Sequence, residues 1–185
     1  MGVTVNRQAN ERATATDRRY STLMIALHWS TAIVVAVAYA LSESGRHLRK
    51  DTAFLHFAFG LIVLMLTVAR FGARAFGRSA APLATVAPWL VWLGKAVHTL
   101  LYLLLIAVPL TGWYSASQMG MPAKLFTLTL PALTMPSSNG KPGAIGGLHQ
   151  LGGNLILLLA GLHLAGVLWH QFIVKDGIFR RMSPY

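Results

Sequence analysis

Histidine is the residue type in this sequence whose number and spacing could support metal chemistry. The chain has seven histidines and no cysteine, so thiolate ligands, disulfides and cysteine nucleophiles are excluded. Two of the histidines, His149 and His163, lie fourteen residues apart in one apolar run. Fourteen residues is just under four helical turns, so both rings would share one helix face, roughly 21 Å apart along its axis. An unpaired imidazole in lipid is costly, so each ring is expected to have a partner elsewhere in the chain.

The composition is typical of a membrane protein. Of 185 residues, 55% are hydrophobic and 11% are charged, whereas a soluble domain has roughly 25% charged residues. We therefore predict one polytopic membrane domain. The net charge of +11 comes from 16 basic and five acidic residues. In a soluble protein it would indicate nucleic-acid binding, but here the basic residues flank apolar runs, where they set orientation and contact anionic lipid. No nucleic-acid partner is expected.

Four apolar runs predict four transmembrane helices. They cover approximately residues 23–41, 52–69, 89–113 and 148–173. Each run is near the length that crosses a bilayer as a helix, and open strands could not satisfy their backbone groups in lipid. We expect an all-α, integral membrane four-helix bundle at residues 19–185, preceded by a polar tail at residues 1–18.

The distribution of Lys and Arg predicts the orientation of the bundle. Ten of these residues lie in the N-terminal tail, the second linker and the C-terminal tail, and five lie in the first and third linkers. Cytoplasmic segments carry the excess of Lys and Arg. Both termini are therefore predicted to be cytoplasmic.

This topology sorts four histidines into two pairs by depth. His28 and His163 fall toward the cytoplasmic side, and His56 and His149 fall toward the outer side. Two imidazoles at one level on facing helices suit the axial positions of a haem iron. We predict two b-type haems, each with two histidine ligands. With no open coordination position, such a haem transfers electrons rather than binding oxygen.

Small residues follow each of these histidines at the positions that share its helix face. They are Ala32, Gly60, Gly152, Gly153 and Gly166. Positions three and four residues further along a helix lie on the same side as the ligand, so their small size would leave clearance for a flat macrocycle. The alternative is that they pack helix against helix in lipid.

His98 competes with His28 for the inner site, because its depth in the third run is similar. We favour a position beside the cofactor for His98, near a haem propionate together with Lys95, or near a quinone. His170 follows His163 by seven residues, on the same face and at the membrane boundary. It is interpreted either as lining a quinone site or as an interfacial anchor beside Trp169.

Several short motifs resemble the bacterial cytochrome b561 family over about residues 19–182. These motifs are Arg19–Trp29 with its His28, Leu55–His56 with Gly60, Ala107–Gly112, Leu133–Pro136, and the set Leu148–His149, Gly161–His163 and His170. The resemblance implies a four-helix bundle of the bacterial inner membrane with two b haems. The family's ligand positions match His28 and His163 for one haem and His56 and His149 for the other.

The resemblance also implies an electron donor and acceptor. The best understood members are similar to superoxide oxidases, which take electrons from superoxide at the periplasmic face and reduce ubiquinone. Carried over, the quinone site would lie at the cytoplasmic side near His28 and His163. His170, Arg19 and Ser21 would be the candidate quinone contacts.

The basic residues of the outer linkers could attract an anion such as superoxide. They are Arg46, Arg49, Lys50, Lys124 and Lys141. Contact with lipid headgroups is the equal alternative for any one of them.

Two other functions are compatible with the sequence. The chain could be a cytochrome subunit that passes electrons from a dehydrogenase partner to quinone. It could also be a haem-free transporter whose histidines bind protons or a metal ion. The five acidic residues all lie outside the span centres, which disfavours a proton relay within the membrane and therefore the transporter.

Overall fold

The apolar runs form long helices in the computed structural model, which describes residues 20–43, 50–76, 88–125 and 127–183. The described helices that are long enough to span a membrane are α1 (Thr22–Glu43), α2 (Lys50–Phe76), α3 (Pro88–Gln118) and α4 (Gly143–Trp169). All four are also apolar enough to cross a bilayer. The predicted all-α, four-helix membrane bundle is confirmed. The polar tail at residues 1–18 lies outside the described residues.

Helix α2 extends beyond the apolar run that marks it in the sequence. It continues to Phe76, so Arg70 and Arg74, which lie beyond the predicted span of residues 52–69, are helical. Arg70 is buried, and its guanidinium carbon lies 5.2 Å from the centre of the Tyr102 ring on α3. A guanidinium over an aromatic face is stabilised by the ring quadrupole, which accounts for a buried cation at the end of this helix.

The helices pack mainly as neighbours in sequence. Helix α1 lies along α2, α3 lies along α4, and α2 contacts α3. The buried core between them consists of Val63, Leu105 and Ile156. Helix α4 approaches α1 and α2 much less closely than it approaches α3. The bundle is therefore more open on the side where α4 faces α1 and α2.

The linker between α3 and α4 is ordered by contacts with the end of α3. Its strands β1 (Lys124–Leu125) and β2 (Leu128–Thr129) form a short antiparallel hairpin. The indole nitrogen of Trp113 donates a hydrogen bond to the Pro131 carbonyl at 3.1 Å, and β1 lies against α2. The linker is therefore held across the end of the bundle where α3 ends and α4 begins.

The C-terminal segment folds back onto the start of α1. Helix α4 passes into one π-helical turn, His170–Val174, followed by a short 3₁₀ helix, Phe179–Arg181. The indole nitrogen of Trp29 donates to the Met182 carbonyl at 2.9 Å, and the Tyr20 amide donates to the Arg181 carbonyl at 3.3 Å. The two described ends of the chain therefore meet at one end of the bundle.

Gly152 is expected to be required for the packing of α4 on α3. A Cβ atom at this position would lie 2.5 Å from Cγ2 of Val108, and a β-branched valine in a helix has little freedom to move away. We expect Gly152→Ala to destabilise the protein by about 1–3 kcal/mol through overpacking. The measurement is the apparent melting temperature in detergent.

The control for this prediction is Gly72→Ala. A Cβ atom at Gly72 would have nothing within 4 Å, so this variant should melt at or slightly above the wild-type temperature, because alanine favours the helix over glycine. Equal melting temperatures for the two variants would show that α3 and α4 do not depend on the close approach at Gly152.

Candidate metal centres

The structure brings the four predicted histidines together as two pairs. The ring centres of His28 on α1 and His163 on α4 are 6.3 Å apart, with their planes at 80°. The ring centres of His56 on α2 and His149 on α4 are 5.8 Å apart, with their planes at 82°. The two pairs are separated along α4 by the fourteen residues between its histidines, which is roughly 21 Å of helical rise.

Both ring separations are those of two ligands that share one metal ion. A first-row metal binds an imidazole nitrogen at about 2 Å, and that nitrogen lies about 1 Å from its ring centre, so two axial rings are centred about 6 Å apart. Each pair supplies only two ligands. Within the described ranges, no cluster of three or more His, Cys, Asp or Glu side chains is arranged for a bare metal ion. A planar macrocycle that supplies the remaining ligands fits this donor set.

Small residues leave open space beside the rings. Both pairs connect α4 to the helices that it approaches least closely, α1 and α2. A Cβ atom built on Gly60, Gly153 or Gly166 would meet nothing within 4 Å. A cavity adjoins the rings of the second pair, His56 with His149. The other residues that line it are Phe57, Gly60, Leu61, Pro109 and Gly112. Gly152 differs from the other predicted small residues because it packs against Val108 of α3.

Backbone carbonyls orient the two rings of the second pair. Nδ1 of His56 donates to the Ala38 carbonyl at 2.8 Å, and Nδ1 of His149 donates to the Val108 carbonyl at 2.9 Å. A carbonyl oxygen can only accept, so Nδ1 carries the proton and Nε2 keeps its lone pair for a metal. Such partners fix the tautomer of metal-binding histidines and raise their basicity. Sequence analysis missed Ala38 and Val108, since an apolar residue gives no sign that its carbonyl is used.

Gly112 allows α3 to approach the His149 ring. A Cβ atom at this position would lie 2.8 Å from Cε1 of His149 and 3.0 Å from its Nδ1. Any larger residue would therefore push the ring away from the Val108 carbonyl. The sequence contained this signal in the motif Ala107–Gly112, but not the identity of the group that Gly112 contacts.

The first pair, His28 with His163, has a different environment, because a third histidine adjoins it. The His98 ring centre is 4.9 Å from that of His163, which is shorter than the separation of two axial rings. Nδ1 of His98 donates to the Gly94 carbonyl at 2.6 Å. Nδ1 of His28 is buried and has no hydrogen-bond partner. His98 is thus placed beside the pair rather than within it.

The other residues predicted near the inner pair are Lys95, Ser21 and Arg19. The Lys95 ammonium lies 5.1 Å from the ring centre of Trp92 on its own helix. The Ser21 hydroxyl accepts a hydrogen bond from the Met24 amide at 3.3 Å, so it caps the start of α1. Arg19 lies outside the described residues.

His170 has a partner that sequence analysis missed. Its Nδ1 lies 2.6 Å from Oδ2 of Asp176, and both side chains are largely buried. The other carboxylate oxygen, Oδ1, accepts a hydrogen bond from the Ile178 amide at 3.1 Å. From the sequence alone, Asp176 is only one of five acidic residues outside the span centres.

Two of the five basic residues predicted to attract an anion have described side chains. Lys124 on β1 and Lys141 near the start of α4 are both exposed. Lys50 is the first residue of α2, while Arg46 and Arg49 lie outside the described residues.

Comparison with known proteins identifies the family of the chain. The sequence profile of the family described as prokaryotic cytochrome b561 matches residues 19–185. The chain belongs to this family. The predicted family is therefore confirmed, and the protein is a multi-pass membrane cytochrome b that binds haem and takes part in electron transport. This membership leaves the haem-free transporter without support.

Three relatives cover almost the whole chain. Cytochrome b562 of Cereibacter sphaeroides is 32% identical over 177 residues, covering 88% of this chain and 94% of its own length. Cytochrome b561 homolog 2 of Escherichia coli is 28% identical, with 91% and 93% covered. The probable superoxide oxidase CybB of Yersinia pestis is 26% identical, with 90% and 97% covered.

Gly112→Ala is expected to disrupt haem binding at His56 and His149 while sparing His28 and His163. The added methyl group would collide with the His149 ring and break its hydrogen bond to Val108, and loss of such a partner typically weakens metal binding about 10–100-fold. The measurement is the haem content per chain by the pyridine haemochrome method, which should fall below the wild-type value. Gly72→Ala is the control and should keep the wild-type content. Full haem content in Gly112→Ala would contradict the role of this glycine.

Proposed function

We propose that this chain is a transmembrane dihaem cytochrome b of the bacterial inner membrane that transfers electrons from superoxide, at the periplasmic face, to ubiquinone. Both termini are assigned to the cytoplasm. The observation that carries the proposal is the arrangement of α4, which contributes one histidine to each of two ring pairs at opposite ends of one membrane-spanning helix. Two such centres make an electron path across the bilayer.

His28 and His163 are the proposed axial ligands of the inner haem, and His56 and His149 those of the outer haem. Haem b supplies an iron that gains and loses one electron. Each pair of imidazoles would hold one haem, and a haem held by two histidines would transfer electrons rather than bind oxygen. At the outer pair, the Ala38 and Val108 carbonyls accept both Nδ1 protons, so Nε2 of each ring would be the nitrogen that holds the haem.

Superoxide is the proposed donor for two reasons. One relative that covers almost the whole chain is named a probable superoxide oxidase. In addition, Lys124 and Lys141 are exposed on the linker next to the start of α4, and the histidine nearest to that end of α4 is His149. Positive charge at the outer end would raise the encounter rate with a small anion.

Ubiquinone is the proposed acceptor at the other end. Two superoxide anions each lose one electron to become oxygen, and one quinone takes up two electrons and two protons to become quinol. Among the predicted quinone contacts, the Ser21 hydroxyl already caps α1. His170 retains one ring nitrogen, Nε2, for a ligand, because Nδ1 is bonded to Asp176. His170 is therefore the proposed principal contact.

Single histidine substitutions test the ligand assignment. We expect His56→Ala and His149→Ala each to remove the outer haem and keep the inner one, because each iron depends on two imidazoles. His28→Ala and His163→Ala should do the reverse. The measurement is haem content per chain, together with the low-temperature absorption spectrum that separates the two haems. His98→Ala is the control and should retain two haems. If an outer-pair variant lost both haems or neither, the pairing would be wrong.

The salt dependence of superoxide oxidation tests the donor. We expect the isolated, haem-replete protein to reduce a soluble ubiquinone analogue with superoxide, at a rate that falls as ionic strength rises, because salt screens the attraction. Replacing Lys124 and Lys141 together by Gln should lower the rate at low salt by about threefold or more. The measurement is stopped-flow reduction of the haems by superoxide.

Arg74→Gln is the control for this experiment, because it removes a positive charge at a distance from the outer end. Arg74 is exposed in the last turn of α2, at the opposite end of that helix from His56, so its loss should leave the rate unchanged. A rate that is independent of salt would remove electrostatic attraction from the mechanism. No quinone reduction by superoxide at all would instead favour a cytochrome subunit that serves a dehydrogenase.

A further inference from the structure

Arg70 is the one buried cation among the residues that the structure describes, with an exposed fraction of 9%. The Tyr102 ring stabilises its charge from one side, where the guanidinium carbon lies 5.2 Å from the ring centre. An aromatic face does not accept the in-plane N–H groups of a guanidinium, which has five of them and no acceptor. Nε of Arg70 is buried and has no hydrogen-bond partner among the described residues. This nitrogen is therefore available to an acceptor oxygen.

Arg70 lies at the level of the inner pair, His28 with His163. It follows His56 by fourteen residues on α2, and His163 follows His149 by the same number on α4. His56 and His149 are themselves paired near the starts of these two helices. Equal steps along two helices that run in the same direction therefore bring Arg70 level with His163. The charge of Arg70 acts electrostatically on the rings of both His28 and His163.

The described side chains provide no carboxylate for Arg70. Asp176 is the one carboxylate among them, and it is bonded to His170. The groups that interact electrostatically with Arg70 are two tyrosines and a second cation, Arg74. A buried charge is costly unless an opposite charge accompanies it. An anion from a bound group is therefore expected beside Arg70.

The sequence predicted a different cation, Lys95, near a propionate of the inner haem. Lys95 is exposed, and its ammonium lies against a tryptophan of its own helix. Tyr102, in contrast, follows His98 by four residues on α3, so both lie on the same face of that helix. His98 adjoins His163. The ring that Arg70 covers therefore belongs to the surroundings of the inner pair, and Arg70 takes the position that was predicted for Lys95.

We propose that Arg70 binds a propionate carboxylate of the haem at His28 and His163, and that its charge makes this haem the stronger electron acceptor of the two. This inference rests on the proposed assignment of two haems. Haem b carries two propionate carboxylates at one edge of its ring. A guanidinium is planar and matches a carboxylate with two parallel N–H donors, and the unpartnered Nε is one donor that Arg70 has available.

The proposed contact gives the two haem sites different reduction potentials. A nearby positive charge favours the haem that has gained an electron, because that haem carries one more negative charge. The effect is strong where water is excluded. The rings of the outer pair, His56 with His149, are bonded instead to neutral backbone carbonyls, and Arg70 lies at the other end of α2. Electron transfer from the outer site to the inner site is therefore energetically favourable.

Arg70→Leu is the decisive variant, because it removes both the charge and the hydrogen-bond donors. Arg70→Lys keeps the charge but loses the planar pair of donors. Arg74→Leu is the control. Arg74 is exposed and lies one turn further along α2, so its loss removes an equal charge from the same end of the helix without removing the buried donor.

The experiment makes two measurements on the haem-loaded, full-length protein. In a redox titration, Arg70→Leu should shift the equilibrium of the inner haem toward the oxidised form by about tenfold, which is about 59 mV for one electron, and leave the outer haem unchanged. In resonance Raman spectra, the propionate bending band of one haem should move to lower frequency, because that carboxylate has lost its hydrogen bonds. Arg70→Lys should show the Raman change with a potential near that of the wild type, and it replaces Arg70→Leu if the latter does not retain the inner haem.

The possible outcomes separate this inference from the proposed function. If the Arg70 variants keep both haems with the wild-type Raman band, Arg70 does not bind a propionate, and the inference is wrong while the two-haem assignment stands. The inference is also wrong if Arg74→Leu produces the same changes, because any positive charge at this end would then suffice. If the wild type holds fewer than two haems per chain, the proposed assignment itself falls, and this inference falls with it.

Discussion

The structure depends on the cost of placing imidazole rings inside an apolar bundle. Each ring has two nitrogens, and an unsatisfied polar group in a lipid-like environment is costly. His56 and His149 meet this constraint with backbone carbonyls of neighbouring helices, those of Ala38 and Val108. A helical carbonyl keeps a second lone pair after its own backbone bond, so it can accept a ring proton without unwinding the helix. The other nitrogen of each ring remains available for iron.

The glycines show how the helices leave room around these rings. Gly152 lets α4 pack tightly on α3, and Gly112 lets the α3 backbone approach the His149 ring. Gly60 faces open space instead, on the side where α4 stands away from α1 and α2. The same residue type thus closes one interface and keeps another open. Together these positions hold α4 at the distance at which its two histidines meet partners on two different helices.

The two ends of the bundle differ in chemistry. At the end where α4 begins, exposed Lys124 and Lys141 create positive potential in water, which suits capture of an anion. At the other end, the described carboxylate of Asp176 is bonded to the His170 ring. In the proposed function, an electron enters at the end with exposed lysines and leaves at the end where His170 lies. The proposed electron path crosses the membrane because α4 carries one histidine near each of its ends.

The sequence by itself determined the four apolar spans, the pairing of His28 with His163 and of His56 with His149 by depth, and the family. The spans and the pairing depend on composition, charge bias and helical periodicity, and the family depends on a resemblance in short motifs; all of these can be read from the sequence. Only the tertiary structure decided that the Val108 carbonyl meets His149, 41 residues away, and that Arg70 lies buried over Tyr102. Contacts between distant segments leave no periodic signal. Even the His170–Asp176 pair, six residues apart, depends on a π-helical turn and a left-handed Lys175, neither of which a helical repeat predicts.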